Sequence, residues 1–545
     1  IYRGHINVQV DDRALHEIYL PAFKAAVHEG QAWAIMGSYN KYKGEHCCHN
    51  QYLLNDLLKR DWGFDGVVVS DWGGVHDTKE AIFNGLDMEF GSWTNGLNWG
   101  QSNAYDNYYL AHPYLNLIKK GEVTEKELND KVRRILRLVF RTNMAKERHF
   151  GSFGTEEHAL AGRTIAQQGI VLLQNKKNVL PVDASKVKRV LVVGENAVKR
   201  MTVGGGSSSL KAKYEVSPLE GIKARLGDGA EVIYSPGYAS PAVKEQDVLG
   251  AEEPDKMEID ADALRNDAVK WAKDADVVFF VGGLNKNDGQ DCEGNDRSSL
   301  SLPYEQDQLI AELAKANPNT VVVIISGNAV AMPWVKQVPA IVEAWYSGTE
   351  AGNALASILF GDVNPSGKLP FTFPARLEDN GAHALGEHPG DSINVKYNES
   401  IFVGYRWADK QKKTKPLFAF GHGLSYTTFA YGKATATKKS LTADETITFT
   451  VPVKNTGSRE GSEVVQLYIG DKKSTLPRPI KELKGFSKVK LAPGEEKMVS
   501  FTIDKTDLSY YDDTQNRWVA EPGVFEAFVG ASSADIRSTV SFELK

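Results

Sequence analysis

Cysteine is scarce in this chain, with three among 545 residues and two of them adjacent as Cys47 and Cys48. That excludes a disulfide framework. One pairing stays open, the reduced state is expected, and no compartment can be read from so few thiols. No apolar run approaches the roughly 20 residues that a membrane-spanning helix needs, so no membrane partner is expected. Neither sign of charge dominates. A formal net charge of −6 made up of 64 basic and 70 acidic residues gives no basic footprint for nucleic acid and no polybasic membrane patch. Internal repeats and low-complexity tracts are missing, and no signal-peptide pattern follows Ile1. Glycines at Gly194 and Gly204 to Gly206 hint at a phosphate cradle, but there is no GxGxxG at a strand end and no Walker lysine, which argues against a nucleotide cofactor. His76 and Asp77 have no further ligands at matching spacing, so no metal is expected either.

A chain this long needs more than one core, and its patterning changes twice. Residues 1–150 alternate strand and helix. Asp11 or Asp12 is placed to cap a helix carrying Leu15, Ile18, Phe23, Ala26 and Val27, with Pro21 as a kink and an end near Gly30. Ala34 to Ser38 reads as a strand, Asn50 as the cap of a helix carrying Leu53, Leu54, Leu57 and Leu58, and Gly85 to Phe90 as a further strand. Thr124 to Glu127 is a capping box opening a helix with Leu128, Val132, Ile135 and Val139 on one face. Residues 151–375 read as a second α/β domain with a mostly parallel sheet, from runs at 190–193, 232–234, 277–281, 321–325 and 341–344. Residues 376–425 form a connecting segment. Residues 426–545 show short alternating strands at 446–453, 463–469, 498–503, 524–529 and 539–544, as expected of a small β-sandwich.

The most informative stretch runs from Gly63 to Trp72. Val67, Val68 and Val69 are a β-branched run suited to a parallel strand buried on both faces, and Ser70 and Asp71 fall at its end. Parallel α/β folds carry reactive groups at that tip. The plain alternative is that Asp71 caps the next helix. Trp72 and the pair Gly73 and Gly74 favour a ligand site, because an indole suits the apolar face of a sugar and glycines permit close backbone approach.

Gly63-Phe64-Asp65-Gly66-Val67-Val68-Val69-Ser70-Asp71-Trp72 resembles the nucleophile strand of glycoside hydrolase family three, the β-glucosidase family. Met36 to Asn40 and Cys48 to Asn50 resemble neighbouring segments of that family. The likeness continues in order through Glu293 to Arg297, Asn364 to Pro370, Phe420 to Tyr426 and Lys454 to Gly457. It implies an α/β multidomain architecture: a TIM-like (β/α)₈ barrel, an α/β sandwich domain, and a fibronectin type III-like domain from 426 to 545. Only about three barrel strands are visible in residues 1–150, whereas a full barrel takes eight and about 250 residues. The expectation is therefore that only the C-terminal part of the barrel is present and that the N-terminal half, with a Lys-His pair gripping sugar hydroxyls, is missing. If that half were truly lost, a non-catalytic carbohydrate-binding remnant would be the rival reading.

Retaining hydrolysis needs an ionised carboxylate to attack the anomeric carbon and a second, protonated carboxyl to donate to the leaving oxygen. Asp71 is the candidate nucleophile. Asp288, Asp291, Glu293 and Asp296 are all candidates for the acid, lying on a loop after the strand at 277–281. The family's Glu-Gly-x-Asp-Arg motif selects Glu293, with Asp296 and Arg297 expected to hold the loop. Matched positions add Arg3, Met36, Tyr39 and Trp72 as substrate-binding residues, with Ser207 or Ser208 reaching in from the second domain. Trp93, Trp99, Tyr105, Tyr108 and Tyr109 are equally readable as an aglycone platform or as ordinary packing. The implied activity is that of a retaining exo-β-glucosidase acting on an oligosaccharide or β-glucoside. β-Xylosidase, α-arabinofuranosidase and β-galactosidase are the alternatives within the family. No cofactor is required, a homodimer is compatible, and a periplasmic or extracellular setting is expected over a cytoplasmic one.

Overall fold

A computed structural model of the chain describes residues 3–91, 107–142, 144, 151–202, 211–240, 260–287, 289–293, 297–411 and 414–545. It divides into two compact units. The first gathers Ile1–Gly151, Ala382–Val403 and Tyr510–Val519, and the second Ser152–Gly381, Gly404–Ser509 and Ala520–Lys545.

The first unit is built around a parallel pair of strands, Ala34–Gly37 and Val67–Ser70, in the register Met36 opposite Val69 and Gly37 opposite Ser70. Val67 and Val68 are fully buried, as their β-branched character requires. The expected strand from Gly85 to Phe90 does not form; a single bridge joins Val69 to Met88. The reason is Asp87. Its buried carboxylate accepts the Val68 N–H at 2.8 Å and takes the Lys59 ammonium at 2.7 Å, so a side chain does what a ladder bond would have done. The Asp87 and Met88 N–H groups both turn back to the Val68 carbonyl at 3.0 Å.

The flanking helices follow their caps. Asp11 accepts from the Ala14 N–H at 2.7 Å, the helix passes through a stretch wound with wider i→i+5 bonds at Leu15–Tyr19, and it restarts with Pro21 in the first turn of Pro21–His28. Asn50 accepts from the Leu53 N–H at 2.9 Å, and the following helix, Tyr52–Asp61, also takes the wider winding. Helix Glu125–Arg141 starts at Thr124 as its capping signal requires. Its face departs from expectation. Lys131 is the buried residue, with its ammonium donating to the carbonyls of Ala81 and Leu86, whereas of the expected apolar face Leu128 and Val132 are exposed and Ile135 and Val139 half-buried. A four-stranded sheet was not anticipated: Asn394–Lys396, Asn7–Gln9, Lys41–Tyr42 and Glu45–His46 lie in that order, parallel except for the last pair. Residues of the segment expected as a connection thus supply a strand to this unit.

The second unit holds a six-stranded sheet. Its order is Val171–Asn175, Ala340–Glu343, Thr320–Ile325, Val277–Gly283, Arg189–Val193, Glu231–Ser235. Five strands are parallel and run where the apolar runs predict. The sixth, Val171–Asn175, is an antiparallel edge that the sequence reading passed over. Helices pack on both faces, giving two apolar layers around one sheet. The remaining strands form a two-sheet sandwich with its own core. In one sheet Ile447–Asn455 pairs Glu496–Ile503; the other centres on Gly461–Asp471, Gly523–Ser532 and Asp535–Leu544. Glu482–Leu491, a strand rich in charged residues, completes that second sheet.

Candidate active site

Asp71 follows directly on the last residue of the strand Val67–Ser70, at its C-terminal tip. Neighbours on both sides fix it there. Ser70 accepts the Phe90 N–H on its hydroxyl at 2.8 Å and donates its own N–H to Met88 at 2.9 Å. The Gly74 N–H closes a turn onto the Asp71 carbonyl at 3.0 Å, and the Trp72 N–H donates to Asp71 Oδ1 at 2.7 Å. This last bond orients the carboxylate and engages one oxygen. The helix-cap alternative is thereby excluded: Asp77 caps the next helix, Thr78–Phe83, by accepting from the Glu80 N–H at 2.9 Å.

Trp72 is 67% exposed and stacks on Phe90 with ring centroids 5.6 Å apart, presenting an open aromatic face beside the carboxylate. The close approach of Gly91 explains that glycine: a Cβ there would stand 2.3 Å from the indole, and its φ is +55°. Met36 is exposed on the paired strand and lines an apolar cavity with Phe23 and Ile35. Arg3 lies over the ring of Tyr39, 5.6 Å from its centroid. Arg3 and Tyr39 therefore belong to one cluster within the first unit. Ser207 and Ser208 lie outside the described residues, as do Trp93, Trp99 and Tyr105. Of the aromatic stretch, Tyr108 and Tyr109 are described; the Tyr109 N–H and that of Leu110 are held by the Glu89 carboxylate at 3.1 and 2.7 Å.

Beneath the Asp71 turn lies a group of histidines that sequence reasoning missed. His46 and His76 stack with centroids 3.8 Å apart, and buried His49 accepts the His76 N–H on Nε2 at 3.2 Å. His49 Nδ1 is 2.8 Å from Glu80 Oε2. Burial above all, and then His46, lowers the His49 pKa from its ordinary 6.5 to about 4; burial, His46 and His49 do the same to His76. The unfolded chain therefore binds protons that the folded one refuses, so stability rises with pH between 4 and 6.5. Urea unfolding is expected to show stability falling as the pH drops through that window, with a shallower fall in His49→Gln. Cys47 and Cys48 are unpaired, so the pairing left open by the sequence is not made. Burial pushes the Cys48 thiol up to about 11, which makes it an inert packing group under Gly74.

In the second unit, the loop after strand Val277–Gly283 carries Glu293, which is half-buried. The four acidic candidates separate. Asp291 is committed: it accepts from the Gly327 N–H at 2.6 Å, Asn328 Nδ2 at 2.9 Å and the Tyr346 hydroxyl at 3.0 Å. Asp288 and Asp296 lie outside the described residues. Arg297 holds the far side of the loop by donating to the Ala329 carbonyl at 2.7 Å and to Asn328 Oδ1.

Family models match in the same order. The glycosyl hydrolase family 3 N-terminal domain covers residues 3–138, its C-terminal domain 170–426, and a fibronectin type III-like domain 463–533. The β-glucosidase BoGH3A of Bacteroides ovatus is 53% identical across 100% of this chain. The chain belongs to glycosyl hydrolase family 3.

Thermostable β-glucosidase B of Acetivibrio thermocellus is 39% identical over 98% of the chain. The chain spans 73% and 66% of the lengths of these two relatives. Among solved structures, a family 3 β-glucosidase of Bifidobacterium adolescentis superimposes with a TM-score of 0.86 at 33% identity, covering 99% of this chain and 74% of its own. DesR, a β-glucosidase of Streptomyces venezuelae in complex with D-glucose, does so with a TM-score of 0.88 at 30% identity, covering 100% and 80%. The family's N-terminal domain is thus represented at 3–138, and that match gives no support to the expectation of a missing barrel half. Among the described residues no helix is long and apolar enough to cross a membrane, and no group of three or more His, Cys, Asp or Glu side chains is placed to hold a metal ion.

Proposed function

We propose that this family 3 glycosyl hydrolase is a retaining exo-β-glucosidase that releases terminal non-reducing glucose. Asp71 is its nucleophile and Glu293 its acid/base. The observation that carries this is the strand-end carboxylate, oriented by the Trp72 N–H and flanked by an open indole face, in a chain 53% identical to a β-glucosidase.

In the first half-reaction an Asp71 carboxylate oxygen attacks the anomeric carbon while Glu293 gives its proton to the departing glycosidic oxygen. The bond to the aglycone breaks and a glucosyl ester forms. In the second half, Glu293 takes a proton from water, the water oxygen attacks the same carbon, and the ester bond to Asp71 breaks. Two inversions leave the configuration unchanged. Such a mechanism places the carboxyls about 5 to 5.5 Å apart when they act. Arg3, Tyr39 and Met36 are assigned to the sugar subsite, with Trp72 as its wall. Ser207 and Ser208 are assigned contributions from the second unit.

A relative from Bifidobacterium breve that is 34% identical is an exo-α-(1→6)-L-arabinopyranosidase, which makes the pyranose itself the question to test. A panel of p-nitrophenyl glycosides covering β-D-glucoside, β-D-xyloside, β-D-galactoside and α-L-arabinopyranoside is expected to give the highest kcat/KM for the β-D-glucoside. Preference for any other member would replace the glucosidase reading. Turnover of none would favour a binding protein.

A further inference from the structure

The acid/base loop presents a mechanical problem. The described loop residues 289–293 and 297 contribute no regular secondary structure, yet proton donation requires the Glu293 carboxyl to be held within a fraction of an ångström of the leaving oxygen. The contacts on either side of it converge on one turn, Gly327 to Ala329, at the C-terminal end of strand Thr320–Ile325.

Asn328 is the common element. Its side-chain Nδ2 donates to Asp291 Oδ1 at 2.9 Å, while its Oδ1 accepts from Arg297. One amide therefore ties the residue two before Glu293 to the residue four after it. The amide can serve both only in one orientation, because a carboxylate accepts and a guanidinium donates. Asp291 is held on its other oxygen by the Gly327 N–H and the Tyr346 hydroxyl, and Arg297 also reaches the Ala329 carbonyl. The turn itself is braced. Ser326 donates to the Asn328 carbonyl at 2.9 Å and lies 3.3 Å from the carboxyl of fully buried Glu343, whose neutral form burial strongly favours. A neutral carboxyl beneath the turn does not repel Asp291.

We infer that Asp291, Asn328 and Arg297 form a clamp that positions Glu293 for proton transfer, a role that rests on Glu293 being the acid/base. None of the three is a catalytic residue. Their effect passes through the orientation of the Glu293 carboxyl.

Asp291→Asn is the decisive variant. It puts an amide where a carboxylate accepted from both sides, and relieving the resulting clash by turning Asn328 over would aim that residue's NH₂ at the Arg297 guanidinium. Tyr346→Phe removes one donor and is the milder companion. Both are to be compared with wild type and Glu293→Ala on the full chain, with an alkyl β-glucoside and 2,4-dinitrophenyl β-glucoside, alongside thermal unfolding.

The clamp predicts that Asp291→Asn lowers kcat/KM on the alkyl glucoside by about 10- to 100-fold, the scale of a misplaced catalytic group, and that Tyr346→Phe does so to a smaller degree. Both should keep kcat/KM within about threefold of wild type on the activated substrate, whose leaving group needs no proton in the first step that this ratio reports. Equal losses on both substrates would mean a merely structural role and overturn the clamp. So would an unchanged alkyl-glucoside rate. If Glu293→Ala separates the two substrates while Asp291→Asn does not, the clamp alone fails. If Glu293→Ala does not separate them, the acid assignment fails and the clamp with it.

Discussion

Asp71→Ala is expected to reduce kcat on every β-glucoside by on the order of 10⁴-fold or more, because no covalent intermediate can form without the attacking oxygen. The loss should be independent of leaving group, since the nucleophile acts whichever aglycone departs. Stability is expected to change little. Asp71 is half-buried and its side chain takes one hydrogen bond, from the Trp72 N–H, whose loss costs about 1 kcal/mol. The strand beneath is held by groups the substitution does not touch: the Ser70 hydroxyl, the Asp87 carboxylate and the Val68 carbonyl. Circular dichroism and urea unfolding of the variant, read beside its rate, separate a chemical loss from a structural one. A variant that keeps more than about a tenth of wild-type activity would leave Asp71 as a turn residue only, because covalent catalysis cannot lose its nucleophile so cheaply.

Glu293→Ala should behave differently. General acid catalysis contributes about 10² to 10⁴-fold where the leaving group is basic, so alkyl glucosides and cellobiose should lose that much. A dinitrophenyl aglycone departs unaided. For that substrate the first step is expected to be nearly unchanged and the second, which needs a base to activate water, to become limiting. A low KM with a pre-steady-state burst of dinitrophenolate is the expected kinetic sign of the accumulating ester. Added azide, an anion that needs no deprotonation, should raise the turnover of this variant and give β-glucosyl azide. A uniform loss on all substrates with no azide effect would contradict the assignment.

The parts of this molecule legible in its sequence are those in which local pattern and tertiary demand agree. Val67 to Ser70 reads as a buried strand because three β-branched residues in a row fit few other environments, and the Asp71 position follows from it. Five strands of the six-stranded sheet announce themselves in the same way. Gly85 to Phe90, also expected as a strand, is not one, because Asp87 is turned inward to meet Lys59 and the Val68 N–H. No periodicity reports an inward carboxylate that substitutes for a ladder. Helix Glu125–Arg141 was legible in its start and not in its orientation, since Lys131 is drawn into the interior by the carbonyls of Ala81 and Leu86. Glu482–Leu491 was passed over because its solvent-side positions carry lysine, giving a strand with little apolar signal.

The site divides similarly. Glu293 was selected from four acidic neighbours by resemblance. The structure supplies the independent reason that Asp291 is unsuited: its two oxygens already accept three hydrogen bonds. Asn328 and Tyr346 were invisible beforehand, being brought to the loop by strands remote from it in the chain. The His46, His49 and His76 group was equally hidden, since its members come together only when the segment after Asp71 folds back over Cys48.

The central claim is that Asp71 becomes covalently attached to sugar during turnover, and it can be observed directly. Incubation with 2,4-dinitrophenyl 2-deoxy-2-fluoro-β-D-glucoside, followed by proteolysis and peptide mass spectrometry, should show one fluoroglucosyl group on the peptide containing Val67 to Trp72, with fragmentation placing it on Asp71. Inactivation with the label on another carboxylate, or hydrolysis that proceeds with inversion and leaves no label, would contradict the account.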